Sequence, residues 1–316
     1  MKSYNSLEEF KVNFKTIVTI GTFDGVHLGH RYIINHLKKI AKREAGESVL
    51  LTFSPHPRIV LYEDNSQLKL IDTIDEKRFK LEKIGLQNFV IQEFTKEFSR
   101  MKYVNFVRDI LVKKLNVDYL VIGYDHHFGR NREGSINELK ELAELYNFKL
   151  EQIPPQKEKD IAVSSTKIRN LLIDGDIKTA NQFLDYNFLI SGEVIDGNKL
   201  GRTMGFPTAN IKVEKHKIIP KAGVYLVKVN VSEKIFSGML NIGVKTNKIE
   251  VNIFDFSNDE KKEMFEGLVN DAKNKFRFES IESEGNDPAT QPPPAEPTGE
   301  DDGEGDAEEQ ARPGDW

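Results

Sequence analysis

The 316 residues are 38% apolar and 30% charged, enough for a packed core and long enough for two domains. Cysteine is absent, which excludes disulfides, thiolate metal sites and cysteine nucleophiles and makes the cytoplasm the expected location. The net charge of −5 averages unlike parts, because residues 283–316 hold eleven acidic residues and one basic one and the remainder carries +5. A mildly basic body suits phosphorylated ligands. No dense Lys/Arg patch interleaved with aromatics points to nucleic acid. No run of eighteen apolar residues points to a membrane span, and the polar stretch Met1–Phe14 lacks a signal-peptide core. Oligomeric state is not legible.

The first strong pattern is the β-branched run Thr16–Ile20, which reads as a buried strand. The turn Gly21-Thr22-Phe23-Asp24-Gly25-Val26-His27-Leu28-Gly29-His30 follows it, and Arg31–Arg43 then has apolar residues at helical spacing. A strand-to-helix turn of this kind offers free backbone N–H groups and the positive end of a helix dipole, which together favour phosphate. His27 and His30 fall on one face of the first turn, and Gly29 removes a side chain between them. A metal site is the other reading of His-x-x-His, but no third ligand follows at zinc-like spacing.

Apolar strands then alternate with amphipathic helices. Strands are expected at Val49–Phe53, Asn88–Ile91, Tyr119–Ile122 and Lys149–Ile153, with helices at Glu76–Ile84, Lys102–Leu115 and Ile136–Tyr146. The alternation predicts a parallel sheet with helices on both faces, whose ligands sit beyond the carboxyl ends of the strands. The turns at Gly21–His30, Ser54–Pro57 and Gly123–Arg130 all fall at that end. Val163-Ser164-Ser165-Thr166-Lys167-Ile168-Arg169 then opens a helix with Ser or Thr at its cap.

Near Asp185–Asn187 the period changes to two. Phe188–Val194, Thr208–Val213, Gly223–Val231, Phe236–Ile242 and Ile249–Phe256 read as short strands of a small all-β barrel. The turn Gly201-Arg202-Thr203-Met204-Gly205-Phe206-Pro207 leads into Thr208 and Asn210. These two residues share a strand face and offer oxygen ligands of the kind magnesium prefers. Glu250, read alone, is a polar residue in an alternating strand. From residue 283 the chain lacks Leu, Ile, Val, Phe, Tyr and Met, and this composition predicts a disordered acidic tail.

Three of these motifs carry a family resemblance. Gly21–His30 resembles the nucleotide-binding turn of the FAD synthetase branch of the nucleotidyltransferases. Val163–Arg169 is similar to that branch's Ile-Ser-Ser-Thr-x-Ile-Arg motif, with Val163 in place of the first Ile. Gly201–Asn210 resembles the signature of bacterial riboflavin kinase. Over residues 1–282 the chain is therefore similar to the bacterial bifunctional riboflavin kinase/FMN adenylyltransferase family. The resemblance implies a Rossmann-like α/β nucleotidyltransferase domain at 1–186, a riboflavin-kinase-like β-barrel at 187–282 and a tail at 283–316.

It also implies two reactions: riboflavin and Mg-ATP would give FMN in the barrel, and FMN and Mg-ATP would give FAD and pyrophosphate in the first domain. His27, His30, Ser165, Thr166 and Arg169 would handle phosphates, and Gly21, Phe23, Asp24, Gly25, Gly29, Asp125 and Phe128 would frame the nucleotide and flavin. In the barrel, Gly205 and Pro207 would shape the turn, Thr208 and Asn210 would hold magnesium, and Glu250 would be the base. Gly123–Gly129 departs from the family's Gly-x-Asp-Phe-x-Phe-Gly by having His126 in place of an aromatic residue. After Phe256 the family's Tyr-Gly-Lys-like turn, strand and closing helix give way to Ser257–Glu263, so a barrel that is incompletely closed or poorly stable is expected. The alternatives are an adenylyltransferase with a defective kinase half, a nucleotidyltransferase for another phosphorylated substrate, and a flavin-binding protein without turnover.

Overall fold

A computed structural model describes residues 1–61, 68–124, 128–130, 133–154, 157–158, 161–195, 208–231, 234–244, 248–254 and 275–283, with backbone alone for 157–158, 161–162 and 275–283. In chain order the first unit contains β1 (Lys2–Tyr4), β2 (Thr16–Ile20), α1 (Leu28–Arg43), β3 (Glu47–Ser54), α2 (Pro57–Leu61), α3 (Ile74–Ile84) and β4 (Asn88–Glu93). It continues with α4 (Tyr103–Asn105), which runs on as a π-helix over Phe106–Lys114, then β5 (Val117–Gly123), α5 (Ile136–Tyr146) and β6 (Lys149–Ile153). A two-stranded hairpin follows, β7 (Lys157–Glu158) with β8 (Ile161–Ala162), and then α6 (Ser165–Asp174) and α7 (Ile177–Leu184).

The sheet is parallel with order β1-β4-β3-β2-β5-β6. Both faces are covered. On one side Val18, Ile20, Val49, Leu51 and Phe53 pack under the π-helix and α5, and on the other Ile17, Leu50, Phe89 and Val121 pack under α1 and α3. That explains why β2 and β3 read as continuous apolar runs and not as alternating ones. The chain leaves β2 for β3 on one side and returns to β5 on the other, so the strand order reverses between β2 and β5. Open α/β sheets bind ligands at such a reversal, beyond the carboxyl ends, and the Gly21–His30 turn lies there.

The helices start and stop where their caps dictate. Thr73 and Glu76 form a capping box for α3, which ends at Gly85 with φ 83°. Ser135 and Glu138 do the same for α5, which Asn147 closes in the left-handed region.

The second unit is a closed antiparallel barrel: β9 (Leu189–Ile195), β10 (Ala209–Lys212), β11 (Gly223–Val231), β12 (Lys234–Ile242), β13 (Ile249–Ile253) and β14 (Lys275–Ser283), in the circular order β10-β13-β12-β11-β14-β9. The expectation of an incompletely closed barrel is overturned. β14 inserts between β9 and β11 and pairs with both, so the sheet has no free edge there. β14 also carries the chain one residue past the expected start of the tail, and the rest of that stretch lies outside the described residues. The sequence reading had no β1 and no α7. β1 is a short, exposed edge strand without an apolar signal, and α7 lies where the period change drew attention to the barrel.

The two units share a core. Ile71, Ile168, Leu172, Ile177, Ala180, Phe183 and Leu184 from the first pack in one cluster with Phe188, Ile190, Ile211, Tyr225, Val227 and Val251 from the second. The backbone joins them too: Leu70 forms a parallel bridge with Lys217, with Leu70 N donating to His216 O at 2.6 Å and Ile218 N to Leu70 O at 2.8 Å.

Candidate active sites

The Gly21–His30 turn is strained and densely bonded. Phe23 (φ 47°) and Val26 (φ 38°) take left-handed backbone, which for a β-branched residue is a costly conformation held only by its surroundings. Gly25 sits at φ 89°, where a Cβ would meet Ile71 Cδ1 at 3.0 Å. Asp24 is buried: its Oδ1 accepts from Asp72 N at 3.0 Å and its Oδ2 from Ile71 N at 3.1 Å and from Arg169 Nη2 at 2.7 Å. Burial works against the Asp24 carboxylate, yet Arg169, Lys77, His56 and the Asp72 N–H together hold its pKa below the usual value. Its backbone carbonyl accepts from Ser165 Oγ at 2.9 Å, which docks the N-terminus of α6 on the turn. Ser164 caps α6 by accepting from Lys167 N, and Thr166 is exposed beside it.

Two histidines follow. His27 is the N-cap of α1, and its Nδ1 accepts from His30 N at 3.4 Å, which leaves the proton of the neutral ring on Nε2. The His27 and His30 rings stack at 3.6 Å, and His30 stacks in turn on Phe23 at 4.6 Å. Gly29 makes room for this, since a Cβ there would lie 3.3 Å from the His27 ring. Burial, against the pull of Asp24, lowers the His27 pKa to about 4, and burial with the neighbouring His27 and Lys77 takes His30 well below its usual range.

His56 is a third member that the sequence reading placed in a strand-end turn without assigning it a role. It is buried, and its Nδ1 accepts from Arg58 N at 3.2 Å, so its proton also sits on Nε2. Burial is the main reason its pKa falls to about 3, and Asp24, Lys77 and Arg169 all act on its charge. His56 Nε2, His30 Nδ1 and Arg169 Nε are buried polar atoms with no hydrogen-bond partner among the described residues. Buried polar atoms of this kind are costly unless a ligand satisfies them. The one clue available in the sequence was position, immediately past the carboxyl end of β3.

Phe128 is buried against Tyr103 and Phe106, 6.3 and 6.0 Å away between ring centres. Gly129 (φ 77°) beside it could not carry a Cβ, which would meet the Tyr103 backbone at 2.8 Å. Asp125, Gly205 and Pro207 lie outside the described residues.

On the barrel, inward positions such as Ala209, Ile211, Ile249 and Val251 are buried, so their neighbours face outward. Asn210 pairs across with Glu250, Glu250 with Asn241, and Asn241 with Val224, while Ile195 flanks Asn210 on the other side. One row on the outer face therefore reads Ile195, Asn210, Glu250, Asn241, Val224. Thr208 stands two residues before Asn210 at the head of β10, and both are half-buried. The sequence reading found Asn210 and Glu250 but had no strand register with which to pair them or to find Asn241.

The FAD synthetase family profile matches residues 9–167 and the riboflavin kinase profile residues 184–283. A bifunctional riboflavin kinase/FMN adenylyltransferase of Listeria monocytogenes is 38% identical over 76% of this chain and 78% of its own length. That of Buchnera aphidicola from Schizaphis graminum is 38% identical over 85% and 89%, and that of Escherichia coli K12 is 33% identical over 77% and 79%. The chain belongs to this family. A solved structure from Streptococcus pneumoniae described as a macrolide-efflux protein shares the fold, with a TM-score of 0.76 at 26% identity over 89% of this chain and 90% of that one. Among the described residues of this family member, no helix is long and apolar enough to cross a membrane.

Proposed function

We propose that the β2–α1 turn is where FMN is adenylylated and that the outer row of the barrel is where riboflavin is phosphorylated, the two steps by which this enzyme makes FAD. The observation that carries the first assignment is the pair of buried, partnerless donors His56 Nε2 and Arg169 Nε at the strand-order reversal. In this step an FMN phosphate oxygen bonds to the α-phosphorus of ATP, the bond from that phosphorus to the bridging oxygen breaks, and pyrophosphate leaves. The attacking phosphate is already ionised, so positioning and charge stabilisation are the protein's task. Neutral His27 and His56 donate from Nε2 to phosphate oxygens, with Arg169 Nε and the N-termini of α1 and α6 adding to the same field. His30 backs the His27 ring. Asp24 does not touch substrate: it fixes Arg169 and the turn. Ser165 ties α6 to that turn and exposed Thr166 reaches the phosphates, while Gly21, Gly25 and Gly29 allow the turn's shape. Phe128, buried against Tyr103 and Phe106, is held beside that site.

In the barrel Glu250 takes the proton from the riboflavin 5′-hydroxyl as its oxygen attacks the γ-phosphorus and ADP departs. The donor set beside it fits magnesium: a Thr hydroxyl and an Asn amide oxygen are hard ligands, and with so few protein ligands the ion would come with ATP. Bound there, it would neutralise the charge of the triphosphate. The closed barrel favours an active kinase over an adenylyltransferase with a defective second half. The absence of cysteine from these 316 residues supports a cytoplasmic setting.

The test is a chromatographic assay of flavin products with Mg-ATP, from riboflavin and separately from FMN. Glu250→Gln should abolish FMN formation and leave FAD formation from supplied FMN intact. Loss of both activities in a folded Glu250→Gln protein would refute the two-site assignment.

A further inference from the structure

The linker into the barrel grips the adenylylation turn from both sides. Asp185, the left-handed C-cap of α7 (φ 62°), pairs with Arg31 Nε at 3.0 Å, directly after His30. The next residue, Tyr186, donates its hydroxyl to the carbonyl of Gly25, on the other side of His27. Two consecutive linker residues thus bracket the segment that carries both histidines.

The Tyr186 contact is built into a buried circuit. Its oxygen accepts from Lys80 Nζ at 2.9 Å, and the same ammonium lies over the Tyr186 ring at 4.3 Å and forms a buried ion pair with Asp72. Asp72 N in turn holds Asp24 Oδ1. Because Lys80 supplies a proton to the phenol oxygen, the phenol's own proton is free for Gly25, and the direction of the bond follows. Burial, together with the nearby Asp72, Asp24 and Glu76, keeps Tyr186 protonated far above neutral pH. The Gly25 carbonyl belongs to a peptide in left-handed backbone between two strained residues, Phe23 and Val26, so an external partner is needed to hold it.

We infer that Tyr186, with Asp185, is a positioning element of the adenylyltransferase site: the barrel-side linker sets the angle at which His27, backed by His30, meets the phosphates. The inference rests on the placement of adenylyl transfer at the Gly21–His30 turn. Neither residue touches substrate, and a misplaced turn lowers turnover more than binding.

The experiment uses the full chain with both assays, from riboflavin and from FMN. Tyr186→Phe keeps the ring and its cation contact and removes one hydroxyl. The expected result is a roughly tenfold fall in kcat for FAD formation, little change in the KM for ATP, unchanged FMN formation, and faster amide exchange confined to the 24–30 turn. Asp185→Asn, at a site where Asn tolerates left-handed backbone and the side chain is 53% exposed, should fold regardless and show the same split at roughly threefold. FAD formation within twofold of wild type in both variants would overturn the inference, as would parallel loss of both activities in either. His27→Ala run alongside separates the two claims. If that variant keeps full FAD formation, the site assignment itself fails. If it loses FAD formation while Tyr186→Phe does not, only the positioning role fails.

Discussion

Three imidazoles past the carboxyl ends of β2 and β3 can serve phosphates as cations or as neutral donors, and burial decides between these here. His27 at about 4 and His56 at about 3 are uncharged at neutral pH, as is His30. They therefore leave the net charge to Arg169 and the helix ends and supply directed N–H groups. His56→Gln should lower kcat for FAD formation about 100-fold, the usual cost of losing one donor aimed at developing charge, and leave FMN formation alone. A loss under threefold would take His56 out of the site. The same burial makes a pH prediction. The folded values lie below the unfolded value of 6.5, so the unfolded chain takes up these protons first. The stabilisation is complete above pH 6.5 and is lost progressively as pH falls from 6.5 to the folded values, by about 1.4 kcal/mol per histidine per pH unit in that window. Melting temperatures measured from pH 7 to pH 5 should fall steeply, and His56→Gln should flatten the slope. An unchanged slope would mean that His56 is not buried. The His27/His30 pair was legible because glycines and a β-branched strand frame it. His56 was not, because its burial and its tautomer are set by residues far away in the chain.

At the scale of elements, the strands β2 to β6 and the long helices between them lay within a few residues of where periodicity put them, since each buries its own apolar pattern. The barrel's closure was illegible for the opposite reason. β14 is reached through a long departure from the family pattern, and its partners β9 and β11 are distant in sequence, so nothing local signals that it pairs with both. The same gap hid the outer row, because a register between strands is needed before Asn210, Glu250 and Asn241 can be seen as neighbours. A chain ending at residue 274 would leave β9 and β11 with open edges and the barrel core exposed. That truncation should abolish FMN formation and lower the melting temperature by several degrees or more, as judged by the riboflavin assay and thermal unfolding. Truncation after residue 283 keeps every described strand and should keep both activities. Kinase activity in the shorter form would show that β14 does not complete the barrel.

For the whole molecule, the question is whether two activities mean two independently stable units. The shared apolar cluster argues that they do not, and so does the charge buried inside it. Lys217, from the barrel unit, has no solvent exposure at its side chain, and neither does its partner Glu76 on α3, 2.7 Å away. Lys217 Nζ also donates to the Ile71 carbonyl at 2.6 Å, while Glu76 accepts from Ser191 N at 2.6 Å and Ser191 Oγ at 2.8 Å. A pair so fully hydrogen-bonded is tolerated in the interior, but removing one partner strands the other charge where no water can reach it. Lys217→Met should therefore cost about 3–5 kcal/mol. Adding Glu76→Gln should restore only part of that, because the amide oxygen can still accept from Ser191 without an uncompensated charge while Thr73 N loses its capping acceptor. Denaturant unfolding followed by fluorescence and by each activity should show one transition for the wild-type chain and for both variants. Two separated transitions, or a Lys217→Met cost below about 1 kcal/mol, the range of an exposed pair, would mean that the units fold independently and that the buried pair does not join them.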